Sequence, residues 1–281
     1  MKCVNIDKEF RMYLQKWMKA NQKKYPNYDA MEEAMPQVYD GFLETPMALL
    51  GGVSPRGYFA AMTDAPALVR YMEDYVKQRV PVPDIMLERI AEMGADSEEA
   101  LMKLLNKERA PKEARLLSID LLRRIDSAKP LDLYVSWQTA RGEGEDDMAD
   151  LALEALDAMG ENAVPAMRRA FDEATPEGRE ALLGLLSKYP CDDALVRAAL
   201  RMLLSREGRT AVLADYLGRM GSQEALQPLK DMAESDETGY LDYIELRNAI
   251  ERLGGIAPER DWDESDPEYN ALRALQENRN K

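Results

Sequence analysis

Apolar residues recur along this chain at helical spacing, and the stretches they define close on a repeated signature. Met93-Gly94, Ile125-Asp126, Met159-Gly160, Tyr189-Pro190, Met220-Gly221 and Leu253-Gly254 end six amphipathic patterns. Subtracting successive positions gives 32, 34, 30, 31 and 33 residues, a period characteristic of stacked helical repeats. The clearest unit has Leu151, Ala152, Ala155, Leu156 and Met159 on one face. Gly160 closes that helix, and Ala163, Val164, Met167, Ala170 and Phe171 form the face of a second. Each such pair exposes an apolar stripe that it cannot bury alone, so neighbours must stack.

Three stretches of organisation follow: a helical N-terminal region over residues 1–81, a repeat array over 82–256 and a C-terminal capping segment over 257–281. In the first, Phe10, Tyr13, Leu14, Trp17 and Met18 make an amphipathic helix within 7–24. A stretch rich in proline and glycine follows. In it, Thr45-Pro46 and Ser54-Pro55 each place a capping hydroxyl before a proline at the first helical position. Short helices near 46–50, 55–62 and 66–79 are predicted. Trp262, Tyr269, Leu272 and Leu275 supply apolar contacts for a terminal cap.

Arg247-Asn248-Ala249 leading to Leu253-Gly254 resembles the first helix of short HEAT-like repeats, of the type found in phycobilisome lyases. Ala225-Leu226-Gln227-Pro228-Leu229 and Ala163-Val164-Pro165-Ala166-Met167 resemble the second. The likeness spans about residues 82 to 255, with units two and four degenerate. It implies an all-α fold, an alpha-alpha superhelix of roughly five to six helix pairs, that binds a partner along the inner face formed by the second helices.

Charge sharpens this picture. The net charge of -15 argues against nucleic acid as the partner, because phosphate binding draws on Lys and Arg. The charge is uneven, however. Residues 1–30 carry seven basic side chains against three acidic ones, a balance of +4 that leaves -19 for the rest. Such a segment reads either as the solvated face of an amphipathic helix or as a basic arm for an acidic partner. The absence of histidine removes the commonest general base and neutral metal ligand. Cys3 and Cys191 lie far apart, which argues against a disulfide framework. No apolar run reaches the length of a membrane span and no signal-peptide pattern opens the chain, so a cytoplasmic location is the default.

Tyr134, Trp137 and Arg141 fall at i, i+3 and i+7, a spacing that suits a recognition patch and equally suits packing between neighbouring units. Arg168, in the doublet Arg168-Arg169, is a candidate for holding an acidic peptide; so is a bond to a neighbouring carboxylate. The cluster Glu143, Glu145, Asp146, Asp147 and Asp150 lacks the alternation of a calcium loop and fits a first helical turn. Cys191 sits between Pro190 and Asp192-Asp193, which oppose thiolate formation. These residues point to a non-catalytic protein- or peptide-binding scaffold, with Tyr134, Trp137, Arg141 and Arg168 as its contacts, no cofactor, no metal and no membrane. Two other classes remain open. One is an enzyme on a HEAT-type scaffold, a DNA glycosylase or chromophore lyase; the other is an acidic mimic of nucleic acid. An acidic stripe would mark the mimic, a basic groove the glycosylase, and mixed charge with aromatics a peptide binder.

Overall fold

A computed structural model describes residues 3–205, 209–260 and 266–279. Among them are seventeen α-helices and no strand beyond an isolated Met47–Val53 bridge, so the protein is all-α. The chain divides into two compact units, residues 1–130 and 131–281. The division falls inside the expected repeat array.

The first unit contains α1 (Ile6–Asn21), α2 (Tyr28–Glu32), α3 (Met35–Leu43), α4 (Pro55–Ala60), α5 (Ala65–Lys77), α6 (Asp84–Glu92), α7 (Ala95–Leu105) and α8 (Lys112–Arg124). Helix α1 packs on α3 through its aromatic face. Phe10 meets Tyr39 and Phe42 at ring-centre distances of 4.9 and 5.2 Å, and Tyr13 meets Phe42 at 5.5 Å. Ser54 caps α4 as its sequence predicts, accepting from the Gly57 N–H at 3.2 Å. Asp64 caps α5 in the same way, through the Ala67 N–H at 2.9 Å. The helix expected near 46–50 is instead a 3-10 turn, Ala48–Leu50. Thr45 does not cap forward: its hydroxyl turns back to donate to the Gly41 carbonyl at 2.8 Å, which ties it to the end of α3.

The second unit contains α9 (Leu131–Thr139), α10 (Asp147–Met159), α11 (Val164–Phe171), α12 (Pro176–Leu186), α13 (Asp193–Ser205), α14 (Thr210–Met220), α15 (Leu226–Glu234), α16 (Tyr240–Arg252) and α17 (Pro267–Arg279). Consecutive helices pack as α9 on α10, α11 on α12, α13 on α14 and α15 on α16. Alternate helices also meet: α12 packs on α14, and α14 on α16. Leu156, Leu182, Leu186, Leu213, Leu217 and Leu246 are wholly buried between them. Toward the C-terminus α17 packs on α16, with Tyr269 edge-on to Tyr240 at 5.1 Å. Trp262 lies outside the described residues.

The helix endings carry the backbone geometry that their sequence requires. Gly94, Gly160, Gly221 and Gly254 have φ of 54°, 61°, 71° and 79°, a range that residues with a Cβ rarely adopt. Asp126 stands at the equivalent place with φ 52°. The period also recurs in polar contacts within each unit, always from an acid to a base further along. Glu73 holds Lys107 at 2.7 Å and Glu98 holds Lys129 at 2.5 Å. Asp157 holds Lys188 at 2.7 Å, Glu180 holds Arg209 at 2.6 Å, and Asp215 holds Arg252 at 2.9 Å. Residue separations of 34, 31, 31, 29 and 37 are close to the spacing of the helix endings in the sequence.

Candidate functional site

The second unit holds a cleft of about 900 Å³, within the size range of ligand sites. Its lining comes mainly from α10, α12 and α14. Leu153 of α10, Ala181, Gly184 and Leu185 of α12, and Tyr216 of α14 give it an apolar and aromatic surface, and residues 141–144 of the loop before α10 also line it. In the sequence pattern these count as the first helices of successive units, whereas the expected binding face lies on the second. The reason is local. Gly184 has no side chain, and a Cβ there would come within 2.7 Å of the Tyr216 hydroxyl. The missing group lets the tyrosine lie across α12. Burial pushes the Tyr216 phenol above its usual range, and the Glu180 carboxylate adds to that, so the hydroxyl is a neutral donor at ordinary pH.

Four cations line the cleft: Arg141, Lys188, Arg209 and Arg219. Each is held by a carboxylate. Lys188 Nζ lies 2.7 and 2.8 Å from the two oxygens of Asp157. Arg209 donates to Glu180 Oε1 through Nε at 2.9 Å and Nη2 at 2.6 Å, leaving its other N–H groups to a partner. Its side chain is 74% exposed while that of Glu180 is 15% exposed, so the guanidinium stands over a fixed anion. Arg219 is paired with Asp215 and lies 5.1 Å from the Tyr216 ring centre, within cation–π range. Asp215 is further bound by Arg252. Burial raises its carboxyl, but the two arginines more than offset this and hold it below the usual range. The lining is thus of mixed charge with an aromatic floor.

The residues predicted as partner contacts separate from one another. Tyr134 is wholly buried; its ring lies 5.7 Å from that of half-buried Trp137, and it offers no surface to a partner. Its hydroxyl is buried without a hydrogen bond, and burial pushes the phenol well above its ordinary range. Arg141 does line the cleft. It lies beyond the end of α9, bonded to Asp150 and, at 3.1 Å, to Gln138. Arg168 is directed elsewhere, to Asp192 at 2.7 Å and the Pro190 carbonyl at 2.5 Å. The acidic cluster serves the start of α10, where Asp146 accepts from the Met148 and Ala149 N–H groups at 3.1 Å. Cys191 is a free thiol that burial pushes up in pKa. Among the described residues no group of three or more His, Cys, Asp or Glu is placed to hold a metal ion, and no helix is long and apolar enough to cross a membrane.

Tyr216, Arg209, Arg219 and Glu180 did not stand out in the sequence. The available signal was the alignment of Gly184 with Tyr216 about one period later, which needs the register of the helices to be read. The chain matches no protein-family model, no curated protein and no solved structure.

Proposed function

We propose that this protein is a non-catalytic interaction module that holds a segment of a partner protein in the cleft of its second unit. The observation carrying this reading is the mixed lining, with Tyr216 and Leu153 beside cations already set against fixed carboxylates. A groove built for a nucleic-acid duplex needs unpaired positive charge along its length. An acidic mimic needs carboxylates left free. Here Arg141, Lys188, Arg209 and Arg219 share the lining with Glu143, Glu177 and Glu180 around an apolar floor, which suits a peptide carrying an acidic side chain for Arg209 and an apolar one for Leu153 and Leu185.

Immobilised full-length chain tests this. Arg209→Ala removes the exposed cation and Tyr216→Ala the aromatic floor, and the melting temperature of each variant, measured in parallel, separates lost binding from the loss of the partner of Glu180. A protein retained by the wild-type chain is expected to bind roughly ten-fold more weakly to each variant, the scale of an interface anchor. Equal retention by all three chains would contradict the reading.

A further inference from the structure

The exposed face of α1 has a charge pattern found in no other described helix of its unit. From Phe10 to Tyr28 the sequence contains no acidic residue and five basic ones, Arg11, Lys16, Lys19, Lys23 and Lys24. Lys8 precedes them, and the two acids of α1, Asp7 and Glu9, are confined to its first turn. All six cations are exposed, and none has a carboxylate within ion-pair distance among the described residues. Elsewhere in the same unit Arg56, Lys77, Arg89, Lys107, Arg124 and Lys129 each hold a carboxylate. Arg70, Arg79 and Arg109 have no ion pair among the described residues but stand apart in sequence, so α1 is where such cations gather on one helix.

Its geometry is regular. At about 100° per residue, Lys8, Arg11, Lys16 and Lys19 fall within an arc of about 140° on a helix about 24 Å long. Met12, 40% exposed, stands within that arc. On the opposite face Phe10 and Tyr13 pack against α3 and Trp17 against Tyr25, so the aromatic side chains of α1 are engaged within the unit rather than offered to a lipid surface.

We infer that this face is a docking surface for an acidic segment of another protein. Charge complementarity selects the sign, and the distribution of charge selects the class. The rest of the same unit, residues 31–130, carries -4, so an extended polyanion such as a nucleic acid or an anionic membrane, which draws on cations along a continuous surface, finds them gathered only along α1. A segment of roughly the helix's own length engages the cations alone, screened from the rest over about 8 Å at physiological salt. Met12 gives it one apolar contact at the centre. The inference is independent of the cleft in the second unit.

The test uses the full chain and a fluorescein-labelled peptide of Glu-Leu-Glu-Glu repeats, about 16 residues long to match α1. It is compared with oligouridylate of similar length and with vesicles containing about 30% phosphatidylserine. The peptide is expected to bind most tightly and to weaken as salt is raised. Affinity should fall at least roughly ten-fold in Arg11→Glu/Lys19→Glu, with a smaller loss in Arg11→Gln/Lys19→Gln. Both variants alter exposed, unpaired side chains and should keep the wild-type melting temperature. Tyr216→Ala should leave this binding intact. Peptide affinity unchanged by charge reversal would overturn the inference. So would tighter binding of oligouridylate or vesicles, or a salt-sensitive dimer that the reversal abolishes, which would make the occupant a second copy.

Discussion

At the scale of single residues, two glycines on α12 do different work. A Cβ at Gly178 would collide with the backbone carbonyl of Gln138, which has no freedom to move. Alanine ordinarily favours a helix over glycine by about 1 kcal/mol, yet Gly178→Ala should destabilise the protein by about 2 to 3 kcal/mol through overpacking, as read from denaturant unfolding. A Cβ at Gly184 meets only the end of the Tyr216 ring. Gly184→Ala should therefore cost little stability but move the tyrosine, and partner affinity should fall without a matching loss in melting temperature. Thr175 joins the two ends of this region. Its hydroxyl accepts from the Gly178 N–H at 3.1 Å and donates to the Arg141 carbonyl at 2.5 Å. Thr175→Ala is expected to cost about 1 to 2 kcal/mol, the usual value of a cap with a second bond.

At the scale of helices, stop signals were the most legible part of the sequence. Glycine after the last apolar position predicted the ends of α10, α14 and α16, because only a residue without a Cβ takes those dihedral angles freely. Asp126 marks the same place after α8 with a side chain that resists it. Asp126→Gly should stabilise the protein by about 0.5 to 1 kcal/mol, measurable as a shift in denaturant midpoint without change in slope. Start signals were less reliable. Ser54-Pro55 and Thr45-Pro46 look alike, and only the first begins an α-helix, because Thr45 is engaged by the preceding turn. The spacing of Tyr134, Trp137 and Arg141 was read as one face, but α9 stops at Thr139. Beyond that point the register no longer applies, and Arg141 turns to the cleft while Tyr134 turns inward.

At the scale of the whole molecule, the distinction between buried and exposed charge decided what could be read. A sequence shows that acids exceed bases; it does not show which acids are already satisfied. Glu73 is 6% exposed: burial raises its carboxyl, and hydrogen bonds from Lys107 and Lys77 override this and lower it. The Lys129 ammonium, with help from Ser127, lowers Glu98, and Asp215 is lowered as well. Folded values below those of free carboxylates mean that these groups stabilise the protein fully above about pH 5. The contribution disappears as pH falls through the folded values, so unfolding free energy should drop steeply below about pH 4. Glu98→Gln should flatten part of that drop, since the amide does not titrate.

The proposal that the cleft of the second unit receives a partner segment is tested most directly by crosslinking from within it. A photo-reactive amino acid in place of Glu177, which lines the cleft, is compared with the same residue in place of exposed Glu173, which does not. The cleft position should yield an adduct with a second protein, and Arg209→Ala should lower its yield in line with the roughly ten-fold weaker binding. Adducts formed equally from both positions, or none from position 177, would contradict the account.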